Sequence, residues 1–143
     1  MTARRVAERL GGMRILKRRV RSDLDLVDAI LGGLPVRSLE EVQRSGLFEP
    51  GELYALVVAR RTLAHRREKR QPLTVEESDR LARVVRVAQA AEDALGDQEN
   101  AARWLRKPNR ALKGNRPIDL LESDLGARMV ERALGRVEHG VYS

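Results

Sequence analysis

The residues that most often carry catalysis are scarce in this chain of 143 residues. It contains no cysteine, and its two histidines, His65 and His139, lie in different segments. No glycine-rich stretch has the spacing of a phosphate-binding loop. Glu131 and Glu138 could share one face of a helix, but the arginines around them favour ordinary ion pairs over acid–base chemistry. We therefore predict that the chain is not an enzyme and that it binds neither a metal ion nor a cofactor.

The positive charge of the chain is concentrated in two segments. Residues 1–21 carry eight basic side chains and one acidic side chain, and residues 60–70 carry six and one. Residues 22–59 are acidic, with two basic and seven acidic side chains, whereas residues 71–143 carry twelve of each. Two focused basic segments indicate an anionic partner, and nucleic acid is the commonest such partner of a small protein.

The second basic segment has the pattern of a helix-turn-helix. Pro50 suits the first turn of a helix, a tight turn is predicted at about residues 57–60, and a short basic helix anchored by Leu63 follows. Such a helix fits the major groove of DNA, where basic side chains meet phosphates and base edges. A solvated charged helix is the alternative interpretation. The predicted DNA-binding residues are Arg60, Arg61, Thr62, His65, Arg66, Arg67, Lys69 and Arg70.

We expect α-helices to position this motif. Aromatic residues, which are common in β-strands, make up only 3% of the chain. A core of Leu, Val and Ala favours helix packing, so we predict an all-α fold with no significant β-sheet. Ser38 with Glu41 is predicted to form one capping box, and Thr74 with Glu77 another, which starts a long helix. Asp97 is expected to cap the next helix. The predicted inward stripe of the first helix comprises Leu24, Val27, Ile30 or Leu31, and Leu34.

The N-terminal basic segment, residues 1–21, has Gly11 and Gly12 in its middle and no capping signal. We predict a poorly ordered arm that could touch DNA, with a solubilising tail or sequence upstream of the true start as the alternatives. No apolar run is long enough to cross a bilayer, and no secretory signal is expected. The absence of cysteine favours a reducing cytoplasm.

The C-terminal residues follow a more distinctive pattern. Its positions are Ala102-Arg103-Trp104-Leu105, Pro108-Asn109, Ala111-Leu112, Gly114, Pro117, Leu120-Leu121, Gly126, Val130-Glu131, Leu134, Arg136 and Glu138-His139-Gly140-Val141-Tyr142-Ser143. This spacing closely resembles that of the Xre/MbcA/ParS toxin-binding domain of bacterial antitoxins. The stretch from Arg60 to Leu81 also looks like the Xre-like half of the same antitoxins. Trp104 lies on an apolar face, so we expect it to pack in the core.

The resemblance implies the antitoxin of a type II toxin-antitoxin pair. Such an antitoxin is a homodimer that neutralises a RES-domain toxin, which consumes NAD, and represses its own operon by binding promoter DNA. We therefore expect a basic arm at residues 1–21, an Xre-like helix-turn-helix domain at residues 22–72 and a small helical toxin-binding domain at residues 73–143. The alternative is a stand-alone helix-turn-helix repressor whose C-terminal domain only dimerises.

The resemblance directs attention to the end of the last helix and the tail beyond it. Tyr142 and a terminal carboxylate are suited to fill a cleft shaped for a nicotinamide nucleotide, and Arg136 is suited to bind an acidic group of the toxin. A frayed end is the alternative. The predicted toxin-binding residues are Arg132, Arg136, His139, Gly140, Val141, Tyr142 and Ser143.

Overall fold

The computed structural model describes residues 2–138, with the backbone alone for Glu138. The α-helices are α1 Thr2–Arg9, α2 Gly12–Leu16, α3 Asp23–Leu31, α4 Val36–Ser45, α5 Pro50–Leu56, α6 Arg60–Glu68, α7 Val75–Leu95, α8 Gln98–Arg106 and α9 Asp124–Glu138. Two short 3-10 helices, Arg110–Leu112 and Pro117–Leu120, lie between α8 and α9 along the chain. No strand occurs in the described range, and the predicted all-α fold is confirmed.

The chain divides into two compact units within α7. The first unit extends to Val85, and the second begins at Arg86. The sequence pattern places the boundary earlier, between residues 72 and 73, because the capping box at Thr74 marks a clear helix start. The helix itself continues without a break through the division between the two units.

Two helices occupy the segment for which the sequence predicts a poorly ordered arm. α1 packs against α3 and α4, and α2 packs against α4. Ala3, Val6 and Leu10 recur at three- and four-residue steps and are almost completely buried. Arginines occupy many of the remaining positions of these turns, so the apolar face is difficult to recognise in the sequence. The expectation of a disordered arm is therefore corrected for residues 2–16.

The buried side of α3 differs from the predicted one. Leu34 is 1% exposed, as expected, but Leu24, Val27 and Leu31 are 68%, 45% and 61% exposed. The buried side instead includes Ala29. Apolar residues occupy several faces of α3, so periodicity alone does not tell which face the neighbouring helices cover.

From α3 onwards, the helix starts agree with the sequence except at α4. The Thr74 backbone N–H donates to the Glu77 carboxylate at 2.8 Å and the Glu77 N–H donates to the Thr74 hydroxyl at 3.1 Å, which confirms this capping box. Asp97 caps α8. The predicted box at Ser38 is wrong, because α4 begins earlier, after Pro35. The buried Ser38 hydroxyl has no hydrogen-bond partner among the described residues.

The second unit is built around α9. This helix packs against both 3-10 helices, and α8 packs against the second of them. The Arg86 guanidinium donates two hydrogen bonds to the Glu131 carboxylate, at 2.9 and 3.0 Å, and so connects α9 to the last part of α7. Gly126 lies so close to the preceding segment that a Cβ at this position would overlap the Leu120 carbonyl oxygen.

Candidate functional site

The predicted helix-turn-helix is formed by α5 and α6. Pro50 starts α5, and the turn after this helix is anchored by Val57 and Val58, which are buried. The Arg80 guanidinium donates to the Val57 carbonyl at 2.9 Å and fixes the same turn from α7. Arg80 is a positioning residue that the sequence pattern did not reveal, since its partner is a backbone atom 23 residues away.

α6 presents a basic outer surface. Its nine residues extend over about 14 Å, at 1.5 Å per residue. Leu63 is 2% exposed and fixes the inner side, as predicted. Arg60, Arg61 and His65 are exposed, and Thr62 is half-buried. Among the described residues neither Arg60 nor Arg61 has an ion-pair partner, so both charges are available to an anion.

Arg66, which the sequence predicts to contact DNA, is directed into the protein. Its guanidinium donates two hydrogen bonds of 3.2 Å to the Glu77 carboxylate, and the two side chains are 21% and 8% exposed. Burial alone would raise the pKa of Glu77, but the hydrogen bonds from Arg66 and from the Thr74 backbone lower it below the ordinary value. Arg66 therefore joins α6 to the start of α7, a role that its position in the basic run did not reveal.

The remaining predicted DNA-binding residues stay accessible. Arg67 pairs with Glu40 of α4 at 2.9 Å, and these side chains are 51% and 41% exposed. An exposed pair of this kind contributes about 0–1 kcal/mol, so a phosphate can replace the carboxylate at little cost. Lys69 and Arg70 are exposed at the end of α6, where Arg70 has a left-handed backbone with φ of 56°.

The outer face of α9 combines apolar and basic side chains. Leu125, Met129, Arg132 and Arg136 recur at four-, three- and four-residue steps, which places them on one face. Leu125 is 65% and Met129 39% exposed, and both arginines are exposed. Arg128 is paired with Asp124 at 2.8 Å, whereas Arg132 and Arg136 make no ion pair with a described residue. The sequence pattern does not single out Leu125 and Met129 as surface residues, because large apolar side chains on a helix usually face inward.

The other predicted toxin-binding residues, His139 to Ser143, lie outside the described residues. Trp104 is half-buried and lines a cavity of about 240 Å³ in the second unit, beside Lys107, Arg110 and Val137. Trp104 therefore keeps part of its surface accessible, whereas the sequence predicts that it packs in the core.

The described carboxyl groups with shifted pKa values have structural partners. The backbone N–H of Arg21 donates to Asp25 at 2.8 Å and lowers the pKa of that carboxyl. The Arg116 guanidinium does the same for Asp119. No three His, Asp or Glu side chains within the described part of the chain are grouped in a way that could hold a metal ion. Over the same residues, every helix is too short or too polar to span a membrane.

Comparisons with known proteins match both halves of the chain. Residues 25–86 match the family described as the antitoxin Xre-like helix-turn-helix domain, and residues 90–140 match the antitoxin Xre/MbcA/ParS C-terminal toxin-binding domain. Antitoxin Xre of Yersinia enterocolitica is 38% identical over 120 residues, which are 82% of this chain and 81% of the relative. Antitoxin Xre of Photorhabdus laumondii is 35% identical over the same shares. The Prs ADP-ribosylating antitoxin of a Sphingobium species is 31% identical over 98 residues, 62% of each chain.

An all-helical chain with a helix-turn-helix in its first half and a matched toxin-binding domain in its second half is a helix-turn-helix antitoxin. The chain belongs to the Xre/MbcA/ParS family of antitoxins, as its sequence pattern predicts.

Proposed function

We propose that this chain is the antitoxin of a type II pair, that it neutralises a RES-domain toxin which consumes NAD, and that it represses its own operon by binding promoter DNA. In this proposal the protein acts in the bacterial cytoplasm as a homodimer. The helix-turn-helix half contacts DNA, and the C-terminal half covers the active site of the toxin.

The observation that carries the proposal is the outer face of α9, within the matched toxin-binding domain. Exposed Leu125 and Met129 supply apolar contact area, and Arg132 and Arg136, which form no ion pair with a described residue, supply charges for acidic groups of a partner. An interface with an apolar centre and arginine contacts is typical of protein–protein recognition. In this proposal Tyr142, which lies outside the described residues, contacts the same partner through its large aromatic side chain.

DNA binding is supported by the surface of α6. Arg60, Arg61 and His65 are exposed on a helix whose length suits the major groove. We do not retain Arg66 as a DNA contact, because Glu77 already binds its guanidinium within the protein. Arg67, Lys69 and Arg70 are assigned to the phosphate backbone, where long flexible cations bind without a fixed orientation.

Co-expression tests the toxin-binding half. The reading frame adjacent to this one should arrest growth and lower cellular NAD when it is induced alone. Co-expression of this chain should restore growth, and the chain should co-purify with the toxin. The double change Leu125→Ser and Met129→Ser should abolish the rescue, and the matched change Leu24→Ser and Leu31→Ser on α3 should preserve it. Rescue without any fall in NAD on toxin induction would contradict the RES assignment.

Deletion of residues 140–143 separates this proposal from a stand-alone repressor. An antitoxin that covers the active site with its tail loses the rescue of growth but keeps its affinity for DNA. A stand-alone repressor whose C-terminal domain only dimerises gives no rescue even at full length, and the deletion leaves its affinity for DNA unchanged. Unchanged rescue by the deleted chain would therefore argue against the tail mechanism.

A further inference from the structure

We propose that Lys17, Arg18 and Arg19 form a second DNA-contacting surface, which binds the phosphate backbone beside the groove entered by α6. We call these three residues the 17–19 patch. The inference rests on the DNA binding proposed above and extends it to a segment outside residues 25–86, the part matched by the helix-turn-helix family.

The charges of the 17–19 patch are not neutralised by any described residue. All three side chains are exposed, and none forms an ion pair with a described residue. Nearby arginines behave differently, since Arg4 pairs with Glu8 at 3.6 Å and Arg14 pairs with Glu41 at 3.8 Å. Three adjacent cations without counter-charges repel one another, and a row of phosphates relieves this repulsion by releasing counterions.

The backbone of the patch is held in place on both sides. Ile15 and Leu16 precede it and are 5% and 8% exposed, and Val20 follows it and is also 8% exposed. Lys17 has a left-handed conformation with φ of 59°, and its N–H donates to the Met13 carbonyl at 3.0 Å. Because this segment is already ordered, DNA binding would lose less conformational entropy than the ordering of a free tail.

The patch adjoins the helix-turn-helix through α4. Arg14 of α2 reaches Glu41, and Arg67 of α6 reaches Glu40. These two glutamates are consecutive residues, so their Cα atoms are about 3.8 Å apart. The end of α2 and the last turns of α6 therefore both lie against one short part of α4.

A second set of contacts also places the 17–19 patch beside the helix-turn-helix. The Arg18 guanidinium lies beside Gly32 at the end of α3, where a Cβ would be 3.7 Å from its Nη2 atom. A Cβ on the next residue, Gly33, would lie 2.6 Å from the carbonyl oxygen of Leu73, just past α6. The major groove is about 12 Å wide, so the phosphates that border the groove come within reach of such a neighbouring surface.

The test measures the salt dependence of binding to a 30-base-pair duplex of random sequence, because backbone contacts do not require an operator. The variant is Lys17→Asn, Arg18→Gln and Arg19→Gln, in which asparagine suits the left-handed position. The matched control is Lys107→Gln, Arg110→Gln and Lys113→Asn in the second unit, where Lys113 is also left-handed with φ of 55°. Both variants lose three charges.

The 17–19 variant should lower the slope of log affinity against log salt by about 2 to 3, since each phosphate contact contributes about 0.9. The control should leave the slope unchanged. Equal slopes for the 17–19 variant and the control would overturn the inference. If Arg61→Gln still lowered the slope in that case, the role of α6 would stand. A loss with the 17–19 variant but not with Arg61→Gln would instead support the patch and remove the α6 assignment. If the unchanged chain failed to bind the duplex, both would fall.

A crosslinking measurement keeps the inference testable if the triple variant does not fold. The chain has no cysteine, so Arg19→Cys creates one attachment point for a photoactivatable phenyl azide. The labelled chain should crosslink to the duplex on illumination, whereas the Lys107→Cys control should give at most a tenth of this yield. Equal yields from the two positions would overturn the inference.

Discussion

Removal of the Glu77 carboxylate provides a direct test of the contact between α6 and α7. This carboxylate accepts two hydrogen bonds from Arg66 at 3.2 Å and one from the Thr74 backbone at 2.8 Å. A hydrogen bond to a charged group contributes about 1.5–3 kcal/mol, and loss of a buried pair's partner costs about 3–5 kcal/mol. The two bonds to Arg66 are long, and Arg66 is 21% exposed and can recover water. We therefore expect Glu77→Ala to lower the free energy of unfolding by about 2–4 kcal/mol.

The measurement is urea denaturation followed by circular dichroism for Glu77→Ala, Arg66→Ala and the double variant. Because the two side chains bind each other, the double variant should cost about 1.5–3 kcal/mol less than the sum of the single variants. The control is Glu76→Ala, an exposed neighbour in the same first turn, which should change stability by no more than about 1 kcal/mol. Additive losses for Arg66 and Glu77 would refute the pairing.

The same pair has a defined pH dependence. The pKa of Glu77 is lower in the folded chain than its ordinary value of 4.5, so the folded state favours the ionised carboxylate. The resulting stabilisation is complete above about pH 5 and is lost as the pH falls through the folded pKa. The difference in stability between the unchanged chain and Glu77→Gln should therefore be constant from pH 6 to 8 and shrink below pH 4.5.

Three further changes test other parts of the structure. Arg61→Ala should weaken binding to promoter DNA and lower the salt slope by about 1 in a gel-shift titration, because it removes one phosphate contact; an unchanged slope would argue against the α6 surface. Gly126→Ala should destabilise the chain by at least about 2 kcal/mol, since the new methyl group meets a backbone carbonyl. The control Gly135→Ala, at a position of the same helix that faces open space, should stabilise the chain by about 0.5–1 kcal/mol. Equal melting temperatures for the two variants would contradict this contrast. Tyr142→Asp should abolish rescue from the toxin and leave DNA affinity unchanged, so full rescue of growth would count against a role for the tail.

The features that the sequence predicts correctly depend on short-range chemistry. The capping box of Thr74 and Glu77 and the cap at Asp97 are each complete within four residues, so spacing alone identifies them. The burial of Leu63 follows from its place as the apolar residue of a basic helix. The family was also predicted from the sequence, because many of its motif positions occur together within the last 45 or so residues.

The features that the sequence does not predict depend on contacts between distant residues. Arg66 and Arg67 are adjacent in one basic run, yet Arg66 is bound by Glu77, and Arg67 by Glu40 at the surface. Local sequence gives no means of telling these two arginines apart. The burial of the apolar face of α1 is not predicted for the same reason, because this face is covered only when α3 and α4 pack against it.

The uninterrupted course of α7 has a practical consequence for dividing this protein. Val85 and Arg86 lie on opposite sides of the division between the units but are consecutive residues of one helix. The residues around them, Val84 and Val87 included, are fully buried. A protease cut at this point would leave two fragments, each with part of α7 and with exposed valines, which promote aggregation. A chimera joined at this point would change the packing around the same valines. A chimera that exchanges the C-terminal half therefore has to keep α7 whole and preserve the Arg86–Glu131 contact that connects it to α9.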